Sequence, residues 1–313
     1  MKIYKHGTFW CIINLGNKHT KEGAMNEKLE LRKLLIYAIS VYRIPQKIKG
    51  MTDKRKRKGI PFFNLIMPVF MALLLQYESF HTFFSAPESM GRRFGNFIRG
   101  RIPKVDAVRD ALALLEADEV GDLLDSIVEK TYRNAVFRSG TIGGDTAAAV
   151  DGVELFSSTK KSCRKCLTRK NKAGQTEYFH RSVVCASIGH SPHVVLGQEM
   201  LTPRDGGEKD EGELTGGKRL VRDLHRKFGH FADVIVADAL YLNAPFLNTV
   251  LDCHMDAVIR LKDEERLIYK DAKGLFEKGE GRKDGFRRGR KRIEAWDTSC
   301  LLYTSDAADE ARS

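Results

Sequence analysis

No apolar run in the 313 residues is long enough to cross a bilayer. The longest, Ile60 to Leu75 (IPFFNLIMPVFMALLL), falls short of the roughly 20 residues a span requires and contains Asn64 and Pro68, so it reads as a buried helix. A mean hydropathy of −0.35 likewise excludes a polytopic membrane protein. Cysteine is sparse and scattered: six residues, at Cys11, Cys163, Cys166, Cys185, Cys253 and Cys300. The start lacks a clean apolar segment followed by a small-residue cleavage site, so a disulfide framework is not expected and a reducing cytosol is. Acidic residues are in deficit, 41 Asp+Glu against 53 Lys+Arg, which leaves a formal charge of +12. A surface with that excess attracts polyanions, and nucleic acid is the commonest of them. With 42% hydrophobic residues the chain is not disordered as a whole. Its length predicts about two domains.

Organisation follows from texture. Residues 1–50 are polar without sustained periodicity and are expected to form a poorly defined extension. Residues 51–138 read as a small α-helical domain. The basic block Lys54-Arg55-Lys56-Arg57-Lys58 leads into the apolar helix. Ser85, Pro87 and Glu88 mark a helix boundary, and Ile102-Pro103 marks a start before Val105–Leu115. Val108, Leu112 and Leu115, then Leu123, Leu124, Ile127 and Val128, recur at three and four residues. The Gly-rich Ser139–Asp145 (SGTIGGD) reads as a linker.

Beyond it the pattern changes. Strands are expected at Thr146–Phe156, Tyr178–Ser187 and His193–Leu201, then a polar loop at Thr202–Gly212 and a helix at Glu213–Phe228. Phe231–Ala239 (FADVIVADA) has the apolar continuity of a strand buried on both faces. Asn243-Ala244-Pro245 starts another helix, and Ala257–Leu261 makes a fifth strand. Three strands able to form a meander, followed by helix, strand, helix, strand, give a mixed sheet with flanking helices. That order is the ribonuclease-H-like fold, an α/β (α+β) architecture expected over residues 139–299.

Two carboxylates stand out in this frame. Asp151 lies in the first strand and Asp238 ends the fourth, which would run beside the first. A carboxylate buried in an apolar run costs several kcal/mol unless it is paired or binds a cation. Two facing each other repel, and a divalent metal removes that repulsion. Oxygen-only ligands suit Mg²⁺ or Mn²⁺, and two such ions about 4 Å apart can activate a nucleophile and stabilise the leaving oxygen in phosphodiester cleavage.

The segments Ala149–Ser158 (AVDGVELFSS), Cys163–Arg169 (CRKCLTR), Tyr178–Gly189 (YFHRSVVCASIG) and Asp233–Asn248 (DVIVADALYLNAPFLN) resemble DDE transposases of the insertion-sequence-4 group. Ile102–Leu112 is similar to the region those proteins carry before the catalytic core. The resemblance runs from about Met51 to Asp297. It implies that Asp151 and Asp238, 87 residues apart (151 to 238), are the first two members of an Asp-Asp-Glu metal triad holding Mg²⁺ or Mn²⁺, in all two ions. It also implies hydrolysis at transposon ends followed by strand transfer into target DNA. DNA is then the partner, a homodimer the active complex, and the prokaryotic cytoplasm, at the nucleoid, the setting.

The group's third carboxylate sits in a motif of Tyr, two residues, Arg, three residues, Glu, six residues, Lys. No stretch after Asp238 matches it, since Ala272 stands where Tyr269 would require Arg. Glu264 and Glu265 read as loop charges. Cys300–Glu310 (CLLYTSDAADE) back-translates to a sequence resembling a transposase-based sequencing adapter. The expectation is therefore a core truncated before its catalytic Glu, inactive by itself, with residues 300–313 foreign to it. The alternatives are a catalytically inactive DNA-binding remnant and a ribonuclease-H-like nuclease.

Other signals are weaker. Cys163-x-x-Cys166 lacks the second half of a zinc signature; Cys185, His180 and His190 are the candidates, with Cys185 and His180 on opposite strand faces. Glu154, three residues from Asp151, faces away from it. Arg169 and Arg181 are candidate phosphate contacts. Lys278–Arg292 is basic, with Arg287, Arg288, Arg290, Lys291 and Arg292 interrupted by glycine, and reads as a flexible DNA-binding strip. Lys54–Lys58 is a second basic candidate. No helix-turn-helix signature is present.

Overall fold

The computed structural model describes Lys33 and residues 36–75, 77, 79–84, 100, 103–203, 210–261, 264–279 and 282–297. Most of the N-terminal extension with Cys11, the boundary at Ser85, Pro87 and Glu88, Ile102, and Cys300 with the rest of the tail lie outside them. The described chain divides into two compact units between Ala135 and Val136.

The first unit is helical: α1 (Ile44–Gly50), α2 (Phe62–Leu74), α3 (Phe80–Phe84), α4 (Val105–Leu112) and α5 (Ala117–Arg133). Helix α2 is the long apolar run. It buries Leu65, Ile66, Met67, Val69, Met71 and Ala72 against Ile44 and Ile48 of α1 and Val108 and Ala111 of α4. Thirteen residues rise about 20 Å, short of a bilayer core of about 30 Å. No helix among the described residues is long and apolar enough to cross a membrane.

The second unit is built on a six-stranded mixed sheet: β1 (Ala147–Ser158), β2 (Leu167–Lys170), β3 (Thr176–Ile188), β4 (Val195–Met200), β5 (Val234–Ala237) and β6 (Asp256–Ile259). The meander pairs β1 with β3 and β3 with β4, all antiparallel. Strand β5 then joins the other side of β1 in parallel, and β6 joins β5 in parallel. Read across, β4-β3-β1-β5-β6 is an antiparallel meander continued by two parallel strands, the ribonuclease-H-like order. The short β2 pairs with the N-terminal part of β3. Helices α6 (Glu213–Phe228) and α7 (Ala244–Asp252) make the crossovers.

Helix α6 lies against the sheet through Leu220, Val221 and Leu224, and through Gly216 and Gly217, which are also buried. A Cβ on Gly216 would sit 2.4 Å from Leu201 Cδ2, and one on Gly217 2.8 Å from Tyr241 Cε1. The two glycines therefore set the closeness of the contact. Helix α8 (Leu267–Glu277) and a separate hairpin, β7 (Arg282–Arg288) and β8 (Lys291–Asp297), complete the unit.

Three expectations change. The fourth strand is Val234–Ala237, shorter than Phe231–Ala239, because Asp238 ends it by capping a 3₁₀ turn at Ala239–Tyr241. The basic segment Lys278–Arg292 is not a flexible strip: past Lys278, which caps α8, Arg282–Arg288 and Lys291–Asp297 pair as strands. Its connecting pair is Gly289-Arg290, with positive φ (61°) at the glycine alone, the backbone pattern of a tight type II′ hairpin turn. Strands β2, β7 and β8 and helix α8 have no counterpart in the pattern reading. Strands β7 and β8 are largely charged, so apolar periodicity has nothing to report there.

Candidate functional site

Strand β1 places Asp151 opposite Val184 of β3, and on its other side pairs Val150 with Ala237 of β5. One further step of that parallel register brings Asp151 beside Asp238, on strands about 4.8 Å apart. Each carboxylate is oriented by backbone: Asp151 Oδ1 accepts the Gly152 N–H at 2.9 Å, and Asp238 Oδ1 accepts the Leu240 N–H at 2.8 Å. Both residues are exposed, which corrects the expectation of carboxylates buried in apolar runs. The apolar neighbours turn inward by strand alternation and by the end of β5, leaving the acids at the surface. Their proximity is therefore not forced by desolvation.

A third carboxylate, unanticipated, opens the helix that packs on this sheet. Glu213 is the first residue of α6, where the helix N-terminus favours negative charge. A Cβ on Gly152 would lie 2.1 Å from Glu213 Oε2, so the carboxylate occupies the space the glycine leaves on the strand face it shares with Glu154. Tyr241, fully buried, donates its hydroxyl to Glu213 Oε1 at 3.0 Å. Arg181 Nη1 approaches Glu213 Oε2 at 3.7 Å. The Tyr241 phenol is pushed far above its usual range, first by burial, then by Glu213, with Asp151 and Asp238 adding to it. One phenol thus senses all three carboxylates. The sequence signal was slight: a Glu opening the helix that follows the polar loop after the third expected strand.

The donor set is oxygen only and solvent-accessible, which fits a hard divalent cation such as Mg²⁺ or Mn²⁺. The three carboxylates do not converge to within 4.8 Å of one another; among the described residues the trio of ligating side chains that does is Cys163, Cys166 and His180. Cys185 is fully buried, its thiol pushed up to about 12 by that burial, and His190 lies at the far end of β3, so neither joins them.

The basic candidates divide. Arg169 is held by Glu154 at 2.6 and 3.0 Å and by Glu177 at 2.7 Å, with its guanidinium 4.5 Å from the Phe179 ring centroid. Arg181 lies between Glu154, at 3.6 Å, and Glu213. Both charges are engaged by neighbouring acids within the sheet. Glu264 and Glu265 are exposed in the turn before α8. On the β7–β8 hairpin, Arg287 faces Arg292 and Arg288 faces Lys291 across the ladder, with Arg290 in the turn. Arg287, Arg290, Lys291 and Arg292 are exposed. In the other unit Arg55 pairs with Asp53 at 2.8 Å and Lys54 with Glu116, while Lys56, Arg57 and Lys58 are exposed.

The topology and the carboxylate-bearing strand pair define the class: a ribonuclease-H-like α/β domain with an acidic surface site. No protein-family model matches the chain, and no curated protein does. Among solved structures it is similar to the piggyBac transposase synaptic complex with hairpin DNA, at 15% identity and a TM-score of 0.37, over 88% of this chain. The aligned chain spans 63% of that protein's length. A likeness at that level leaves function to the site itself.

Proposed function

We propose that this chain is the core of a DNA transposase that hydrolyses phosphodiester bonds at the ends of an insertion sequence and joins the freed 3′ end to target DNA. The observation that carries the reading is the parallel β1–β5 register, whose last pair, Val150 and Ala237, immediately precedes Asp151 and Asp238. Glu213 is the third carboxylate in this reading, held by Tyr241 and Gly152. Asp151 and Asp238 would hold Mg²⁺ or Mn²⁺, which when bound supplies Lewis-acid stabilisation of phosphoryl oxygen and an acidified water or hydroxyl. The chain's own contributions are to orient the two aspartates through backbone N–H groups, to fix Glu213, and to offer the basic hairpin to the DNA backbone. Strand transfer joins two ends, so the active complex is proposed to be a homodimer.

A second reading, a DNA-binding remnant without catalysis, is favoured by the three carboxylates not converging to within 4.8 Å of one another. One experiment separates them: Mn²⁺-dependent nicking of supercoiled plasmid by the wild type, Asp151→Asn and Asp238→Asn, with DNA affinity measured in parallel. With Glu213 as its third carboxylate, where the sequence pattern predicted an inactive truncated core, the transposase reading expects nicking by the wild type, its loss by at least about 100-fold in each variant, and unchanged affinity. Binding without nicking by the wild type supports the remnant. Equal nicking by either variant removes the carboxylates from the mechanism.

A further inference from the structure

Cys163 and Cys166 sit on a tight turn ahead of β2, in which the Cys166 N–H donates to the Cys163 carbonyl at 3.2 Å. Strand β2 pairs Leu167 with Phe179 of β3. One residue back along that antiparallel register, Cys166 stands opposite His180. The result is a triangle of ligating atoms: Cys163 Sγ to Cys166 Sγ 3.5 Å, Cys163 Sγ to His180 Nε2 3.3 Å, and Cys166 Sγ to His180 Nε2 3.4 Å. In a tetrahedral zinc site with Zn–S of about 2.3 Å and Zn–N of about 2.0 Å, the S···S edge is about 3.8 Å and the S···N edge about 3.6 Å. The observed triangle is one face of such a tetrahedron, drawn in by a few tenths of an ångström.

Two backbone groups support the sulfurs. The Cys163 N–H donates to Cys166 Sγ at 3.1 Å, and the Lys165 N–H to Cys163 Sγ at 3.4 Å. Such donors favour the thiolate form that a metal requires.

We propose that Cys163, Cys166 and His180 bind one zinc ion, which pins the edge strand β2 and the preceding loop to β3. Two thiols and one neutral imidazole select a borderline-soft ion of tetrahedral preference; Mg²⁺ and Ca²⁺ take oxygen, and iron–sulfur clusters take four thiolates. Binding displaces the two thiol protons to solvent. The described residues supply three of the four ligands a tetrahedral zinc takes. The site is separate from the carboxylates: Phe156, the partner of His180 on β1, is five residues from Asp151, about 16 Å of extended strand. Its role is structural. Strand β2 has four residues and packs only Leu167 inward, so apolar burial alone holds this edge weakly.

The test uses the full 313-residue chain, without a histidine tag, purified under reducing conditions. Elemental analysis is expected to find one zinc per chain. Replacement by Co²⁺ is expected to give the ligand-field and thiolate charge-transfer bands of tetrahedral sulfur coordination. Cys163→Ser and His180→Ala should each weaken zinc binding by more than about 100-fold, the upper end of what loss of an outer-sphere partner alone costs, with far-ultraviolet circular dichroism unchanged. His190→Ala should bind as the wild type does. If Cys163→Ser fails to fold, the cobalt spectrum of the wild type against His180→Ala decides. Three results would overturn the proposal: reduced protein taking up neither zinc nor cobalt, cobalt bands unaltered in both ligand variants, or a Cys163–Cys166 disulfide in protein kept under reductant.

Discussion

Gly152 lacks a side chain, and on that depends the position of Glu213, whose carboxylate fills the place a Cβ would take. The same helix start carries a second acidic group with a different fate. Glu211 is buried, and its carboxylate accepts the Thr202 N–H at 3.0 Å and Arg219 Nη2 at 3.0 Å; Arg219 also reaches Glu199 at 2.6 Å. Burial works to raise the Glu211 carboxyl, but the bonds from Arg219 and Thr202 together hold it below its usual range. Because the folded-state value is depressed, the stability it contributes is present above the unfolded value of 4.5 and lost as pH falls below it. Arg219→Ala is expected to cost about 3 kcal/mol, the low end for a broken buried pair because the arginine itself is partly exposed. Glu211→Gln should flatten the decline in melting temperature between pH 5 and pH 3, in about the window where a carboxylate titrates. Thermal melts of the two variants across pH check both outcomes; an unchanged acid limb in Glu211→Gln would sink the assignment.

At the scale of elements, helix α6 is the piece that assembles the site. Its Leu220, Val221 and Leu224 face is written in the sequence, but its closeness to the sheet comes from Gly216 and Gly217. Alanine at a helix interior gains about 1 kcal/mol over glycine, so propensity alone predicts that Gly217→Ala stabilises. The structure predicts the reverse. The new Cβ would press on the Tyr241 ring at 2.8 Å, and that ring is fully buried against Phe246 with no room to withdraw. Overpacking of about 1–3 kcal/mol outweighs the propensity gain. Urea denaturation should show net destabilisation, and the variant should disturb the Tyr241–Glu213 bond. A stabilised Gly217→Ala would mean that α6 sits further from the sheet than described.

At the scale of the whole molecule, excess positive charge is useful only where it is not already neutralised. Arg169 and Arg219 are each held by two glutamates, and Arg181 lies near two. The β7–β8 hairpin instead sets Arg287 opposite Arg292, which lies 3.9 Å from Glu294, and like charges opposite one another favour an anion lying across them. Replacing Arg287, Arg290 and Lys291 by Ser is expected to weaken DNA binding uniformly across sequences. The slope of log affinity against log salt should fall by about 2–3, at about 0.9 per phosphate contact. Fluorescence anisotropy over a salt series measures this, and an unchanged slope would move the DNA contact elsewhere, with Lys56, Arg57 and Lys58 next in line.

Apolar periodicity alone determined that a helical segment precedes a mixed sheet, that its order is ribonuclease-H-like, and that Asp151 lies in one strand and Asp238 at the end of its neighbour. Period-two and period-3.6 patterns report which residues turn inward, and the first-order consequence of burial is topology. Only the tertiary structure decided that those aspartates are exposed, that Glu213 fills the space left by Gly152, and that Arg169 is engaged by Glu154 and Glu177. It alone selected His180, among the candidates, as the neighbour of cysteines fourteen and seventeen residues upstream. Polar contacts of this kind depend on register, on the space left by small residues and on the direction of long side chains. None of these leaves a hydrophobic period for a sequence to display.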